Sequence, residues 1–233
     1  MHAVWFVRLV SWSGALAFVL SLAYGIRAYV VNFSATAPSE ASWLAPAAIN
    51  VTLFSVFALH HSVLARTGVK RHVTEWAGEA LERPLYVWLS SMLFFLCCWA
   101  WQPLPGLLYA WPAPWASVGV ALQWAGGLVT AIAARRLDVL ALAGLRPPRA
   151  STAQPLETTG LYGWVRHPIY FGWILLVLGA PVMTTTRAAF AAISIAYLVA
   201  AVPFEERGLV AQYGETYRAY QRRVRARLVP GVY

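Results

Sequence analysis

Hydrophobic positions along the 233-residue chain fall in long apolar stretches. Six runs stand out: Leu9 to Val31, Ala45 to Ala65, Leu85 to Trp101, Trp115 to Ala134, Ile169 to Met183, and Ala188 to Phe204. The first four are long enough, or nearly so, to cross a hydrocarbon core of ~30 Å as helices. The last two reach only roughly 22 and 25 Å at the helical rise, and Thr184, Thr185, Thr186 and Arg187 are all that separates them. They predict a short helical hairpin. The expected fold class is therefore all-α: a polytopic integral membrane helix bundle of about five to six helices, the last two forming that hairpin.

Composition agrees with the pattern and narrows it. A chain that is 60% hydrophobic and 12% charged, with mean hydropathy +0.58, has too little polar surface for a water-soluble globule. The first run is too long, too lightly charged on its N-terminal side and too poor in small-residue cleavage sites for a removed signal, so it counts as the first helix. No repeat or low-complexity tract interrupts the chain, which reads as a single domain over 1–233.

The net charge of +9 is unevenly placed. The segment from Arg66 to Arg83, the segment from Arg135 to His167, the tail after Phe204 and Arg8 together hold 16 of the 18 Lys and Arg residues; Arg27 and Arg187 are the remainder. By the positive-inside rule both termini are expected to be cytoplasmic, with Asn32 to Leu44 and Gln102 to Pro114 on the other face. The Ala, Arg and Trp bias is compatible with a bacterial inner membrane. One basic membrane face can meet lipid headgroups or the anionic group of a ligand. Scattered over three loops, these residues match no nucleic-acid recognition module, and no nucleic-acid partner is expected. Cys97 and Cys98 are adjacent in an apolar run and read as packing residues.

Three polar clusters stand out, because ionisable groups near hydrocarbon are costly and usually have a purpose. His60 and His61 end the second run in "FALHHSVLAR". Neighbours on a helix point about 100° apart, so they cannot form the i,i+4 pair of a helical zinc site; no metal is expected. They are either interfacial histidines bonded to neighbouring loops or a substrate-side proton acceptor. The second cluster is "GLYGWVRHPIYFGW", residues 160–173. Pro168 suits a first helical turn, which sets Arg166 and His167 at a helix N-terminus where a carboxylate or phosphate could bind. Tyr170 follows on the same face, and Gly172 permits close approach. The third is "VPFEERGLVAQYGETYRAYQRRV", in which Glu205 and Glu206 close the last apolar run. In a hairpin they would face Arg166, His167 and Tyr170, with Tyr213, Tyr217 and Tyr220 of a basic amphipathic tail as a roof. Opposed positive and negative walls suit a zwitterionic ligand.

The second and third clusters resemble the C-terminal signature of the isoprenylcysteine carboxyl methyltransferase and phospholipid methyltransferase superfamily: R-H-P-x-Y-x-G, then E-E-x-x-L, then F/Y-G-x-x-Y-x-x-Y. "FALHHSVLAR", "ERPLYVWLSS" and "WAWQPLP" resemble the branch that contains bacterial methanethiol S-methyltransferases and NnrU-type proteins. The resemblance implies a membrane methyltransferase using S-adenosylmethionine, held in the region of about 151–233. By motif it places Tyr162, His167, Pro168, Ile169, Tyr170 and Glu205 around the cofactor, with Glu206 beside them. Gln154, Pro155, Leu156 and Glu157 occupy the stretch that joins this pocket in carboxyl methyltransferases, although "QPLE" departs from the histidine-led pattern there. The tail "RVRARLVP" departs from R-V-P-x-x-x-P, with Arg225 where the first proline stands.

A further departure concerns the acceptor. Isoprenylcysteine enzymes carry an arginine one turn before the first signature glutamate, and this chain has Ala201 there. A carboxylate substrate loses its partner, which points to a small or lipophilic uncharged acceptor, most simply a thiol such as methanethiol. A thiol must reach the thiolate form, for which His167, His60 and His61 are candidate bases, with Arg166 a further catalytic candidate. Three rival readings stay open: carboxyl O-methyl transfer, a non-catalytic NnrU-type protein, and a sterol-reductase-like oxidoreductase. The short chain and the missing N-terminal helices of sterol reductases argue against the last.

Overall fold

The computed structural model describes residues 2–63, 67–146 and 155–233. Helices dominate, and among the described residues five of them are long and apolar enough to cross a membrane. The protein is a polytopic helical membrane protein. Its internal contacts divide it into two compact units, one comprising Met1–Gly106, Asp138–Ser151 and Thr184–Thr186, the other Leu107–Leu137, Thr152–Met183 and Arg187–Tyr233.

The first unit holds α1 (His2–Val30), α2 (Leu44–Val63), α3 (Thr67–Ala77), α4 (Glu79–Trp99) and the short α6 (Val139–Leu142). Helices α1 and α4 pack closely where α1 offers glycine: a Cβ at Gly14 would press on the Pro84 carbonyl and Trp88, and one at Gly25 would strike the Phe94 ring. Small residues serve this purpose between membrane helices, where van der Waals contact must replace a hydrophobic drive. Asn50 is fully buried, and both ends of its amide are used on the Gln102 backbone, Nδ2 donating to the carbonyl at 2.9 Å and Oδ1 accepting from the N–H at 2.7 Å. Cys97 and Cys98 are free and buried. The segment from Arg66 to Arg83, expected as a loop, contains α3, and α4 starts at Glu79 rather than Leu85. Gly78, at φ +84°, ends one helix and starts the other. Hydropathy missed α3 because its apolar residues occupy one face only; Trp76 on it is 85% exposed.

The second unit contains α5 (Trp115–Ala134), α7 (Pro168–Leu178), most of α8 (Thr185–Tyr213) and α9 (Glu215–Arg223). Two strands that the sequence did not announce, β1 (Leu107–Ala110) and β2 (Val182–Thr184), pair with each other. Helices α5 and α7 meet through Gly126 and Gly172, where an added Cβ on either would run into the other helix's backbone; Gly119 and Gly179 repeat the arrangement further along. Large side chains link α7 to α8, with Trp173 Nε1 donating to Ser194 Oγ at 3.0 Å and the Trp173 ring beside Phe190.

The lengths expected for the two hairpin helices need correcting. Helix α7 is 11 residues long, about 16 Å, and stops before Pro181, which cannot continue it. Helix α8 is not short: it runs 29 residues and carries straight on through Glu205 and Glu206 to Tyr213. The apolar run ends at Phe204 because the helix has reached its polar surroundings there. Glu, Arg and Leu remain good helix formers beyond that point, so the helix goes on.

Candidate functional site

All of the C-terminal motif residues that the structure describes belong to the second unit. His167 is the residue before α7 and Pro168 opens it. The chain just ahead of the helix runs beside the C-terminal tail: the Arg166 N–H donates to the Ala226 carbonyl and the His167 N–H to that of Arg227, each at 3.0 Å. This fixes where both side chains emerge.

Arg166 is 8% exposed and Glu206 5%. Arg166 Nε donates to Glu206 Oε1 at 2.6 Å, and its Nη1 donates to the carbonyls of Val224 at 2.6 Å and Arg225 at 3.0 Å. Glu206 also meets His167 Nε2 at 3.3 Å through Oε1, and Gln221 Nε2 at 3.0 Å through Oε2. Arg227 Nε lies 3.8 Å from that second oxygen. A buried carboxylate with a cation and further donors on both oxygens is well matched to its site.

The adjacent glutamate is placed differently. The Glu205 side chain is 46% exposed. Its Oε2 accepts from the Tyr170 hydroxyl at 2.9 Å and lies 3.5 Å from His167 Nδ1, and among the described residues its Oε1 has no partner. The His167 and Tyr170 rings stack, with centroids 5.4 Å apart. One imidazole thus faces both carboxylates, one through each ring nitrogen.

Aromatic residues close the other side. Tyr162 sits in a 3-10 turn at Gly160–Gly163, and its carbonyl accepts from the Tyr220 hydroxyl at 2.7 Å. Burial first, and then Glu157 and Glu205, push the Tyr162 phenol up to about 12, so it stays neutral. Tyr217 and Tyr220 are raised as well, chiefly by burial. The Tyr217 hydroxyl is buried without a hydrogen-bond partner among the described residues. Leu156 packs against the cluster of Tyr217, Tyr220 and Val224. Glu157 is held below the usual carboxylate range, mainly by the Thr159 hydroxyl and then by the Thr159 N–H.

The structure thus gathers Arg166, His167, Pro168, Tyr170, Glu205 and Glu206 at the start of α7, and sets Leu156 and Tyr162 against tail residues, with Glu157 held by Thr159 and Arg136. Pro155 is exposed, Ile169 is half-buried with its carbonyl accepting from Thr130 Oγ1 at 3.4 Å, and Ala201 is half-buried one turn before Glu205. Gln154 lies outside the described residues. His60 and His61 belong to the first unit. Tyr86 Oη is 2.9 Å from His61 Nδ1 and Ser90 Oγ 3.4 Å from His60 Nδ1; among the described residues there is no metal-binding cluster. Sequence reasoning missed Gln221 and the carbonyls of Val224 and Arg225, because a backbone acceptor leaves no mark in residue type. The one available signal was the amphipathic tail.

A family described as protein of unknown function DUF1295 matches residues 81–224. The chain is 35% identical to methanethiol S-methyltransferase 2 of Bradyrhizobium diazoefficiens over 228 residues, covering 93% of this chain and 87% of that one. It is 36% identical to methanethiol S-methyltransferase of Mycobacterium tuberculosis over 183 residues, with 76% and 75% covered. A shorter stretch of 77 residues, 32% of this chain and 27% of the other, is 30% identical to protein-S-isoprenylcysteine O-methyltransferase of Xenopus laevis. No solved structure matches the chain.

Proposed function

Because the chain belongs to the family that holds the bacterial methanethiol S-methyltransferases, and is a membrane methyltransferase, we propose that it transfers the methyl group of S-adenosylmethionine to a small thiol, methanethiol being the acceptor for which those relatives are named. The observation that carries this reading is the unequal pair of glutamates. Glu206 is enclosed and saturated, whereas Glu205 presents a free carboxylate oxygen beside Tyr170 and His167.

The donor set fits such a cofactor. Glu205 Oε1 can accept from an ammonium or a ribose hydroxyl, and the orphaned Tyr217 hydroxyl is a buried polar atom in want of a partner. Glu205, Tyr170, His167, Pro168, Ile169 and Tyr162, with Pro155, Leu156 and Glu157 alongside, would hold it. When bound, S-adenosylmethionine supplies an electrophilic methyl group on a sulfonium. The chain's own part is alignment and the exclusion of water. The Tyr170 hydroxyl fixes the Glu205 carboxylate, donating to Oε2 at 2.9 Å. Arg166 and Glu206 tie α7 to α8 and to the tail, which keeps that arrangement in register. His167 Nδ1 is the proposed proton acceptor for the thiol, and the carboxylates at its two nitrogens balance the charge it would gain.

Ala201 supports an uncharged acceptor. It offers a methyl group where a carboxylate substrate would need a cation, and an unpaired buried anion costs several kcal/mol. The charge asymmetry supports cytoplasmic termini, and the Ala, Arg and Trp bias is compatible with a bacterial inner membrane. Purified protein given methyl-labelled S-adenosylmethionine should label methanethiol and leave a farnesylcysteine carboxylate unlabelled; labelling of the carboxylate alone would overturn the reading.

A further inference from the structure

The second unit contains another space, which the methyl-transfer chemistry does not use. A cavity of about 470 Å³ is lined by Arg166, Gln221, Arg225, Arg227 and Tyr233. Glu205, His167 and Tyr170 do not line it, so it is distinct from the surroundings of the open glutamate. Three of its five lining residues are arginines and none is an aspartate or glutamate.

Not all of this charge is spent internally. Arg166 uses Nε and Nη1 on Glu206 and two carbonyls, and Nη2 has no partner among the described residues. Arg227 bonds the Tyr233 hydroxyl through Nη1 at 2.7 Å and is only loosely paired with Glu206, at 3.8 Å. Arg225 is exposed; its carbonyl receives Arg166, but its guanidinium has no partner among the described residues. Glu206 therefore pairs closely with Arg166 and loosely with Arg227, and the Arg225 guanidinium is left over. Planar guanidinium forks suit the oxygens of a phosphate.

The level of the cavity in the fold points to the source of that phosphate. The apolar part of α8 ends at Phe204. A neighbouring cavity of about 320 Å³ is lined by Pro203, Glu206, Arg207, Val210, Gln221 and Arg227, residues at and just past that boundary. Phe204 is 56% exposed and the Arg207 guanidinium lies 4.9 Å from its ring centroid, an aromatic and basic pairing typical of the headgroup layer.

We propose that this cavity binds the phosphate of an anionic phospholipid headgroup, with Arg225 as the principal contact and Arg227 and Arg166 behind it. The test is native mass spectrometry of delipidated protein exposed to mixed phosphatidylglycerol and phosphatidylcholine vesicles. Wild type should retain phosphatidylglycerol with roughly tenfold preference, Arg225→Gln should lose most of that preference while melting normally, and Arg225→Lys should recover much of it. Displacement of the lipid by inorganic phosphate would show that the phosphate itself is read, from either source. Retention despite inorganic phosphate, together with loss in Arg225→Gln, would assign the site to the lipid. Equal retention of both lipids, or an unchanged preference in Arg225→Gln, would overturn the proposal.

Discussion

Arg166 Nε and Glu206 Oε1 lie 2.6 Å apart, with side chains only 5% and 7% exposed. The same guanidinium holds the Val224 and Arg225 carbonyls. One arginine therefore ties the start of α7, the polar end of α8 and the C-terminal tail together. Its partner is the glutamate next to the one left open.

Removing either partner should be a folding defect before it is a catalytic one. Glu206→Ala leaves the Arg166 charge buried and unpaired, a change that typically costs about 3–5 kcal/mol. Chemical unfolding in detergent measures it. Limited trypsin digestion should cut first at Arg222, Arg223 or Arg225 in this variant, since the tail loses its anchor. A Glu206→Ala protein as stable and as protease-resistant as wild type would contradict the clasp.

The sequence made part of this legible. Arg166, His167, Tyr170, Glu205 and Glu206 could be placed opposite one another because charged residues at the ends of apolar runs must find partners. What could not be read was which glutamate does what. Two identical side chains in succession differ only in the direction each points on α8, and that depends on where the helix ends. Hydropathy marks the point at which a helix leaves apolar surroundings, and it put the end of α8 at Phe204 when the helix extends to Tyr213. The strands β1 and β2 were hidden for a related reason: three or four residues carry too short a pattern to register.

The glycine contact between α5 and α7 gives a second prediction. A methyl group at Gly126 would meet the Gly172 carbonyl and the Leu176 N–H, which are backbone atoms unable to swing aside. Gly126→Ala should cost about 1–3 kcal/mol, the usual range for overpacking, and should misplace the start of α7. Gly127→Ala, where an added Cβ meets nothing within 4 Å, is the control. Melting curves of the two variants should separate clearly; equal stability would show that α5 and α7 are not in close contact.

Glu157 supplies a pH test. The Thr159 hydroxyl and N–H hold its carboxyl below the usual range. A group whose folded value is lowered adds stability above its unfolded value, near 4.3, and loses that contribution as pH falls through the folded value. The contribution is therefore complete at neutral pH and fades only in acid. An NMR titration of labelled Glu157 should give a midpoint below that of an ordinary glutamate, moving back up in Thr159→Ala. No difference between the two proteins would mean that the Thr159 hydroxyl does not hold this carboxylate.

The division of labour between the adjacent glutamates is tested most directly by calorimetric titration of S-adenosylmethionine into purified wild type and Glu205→Ala. Glu205 is half exposed and holds only Tyr170 and His167, so the variant should fold and melt like wild type. Its binding should weaken by about 1–3 kcal/mol, the loss typical of a charge-assisted hydrogen bond. A folded Glu205→Ala protein that binds S-adenosylmethionine with wild-type affinity would contradict the account.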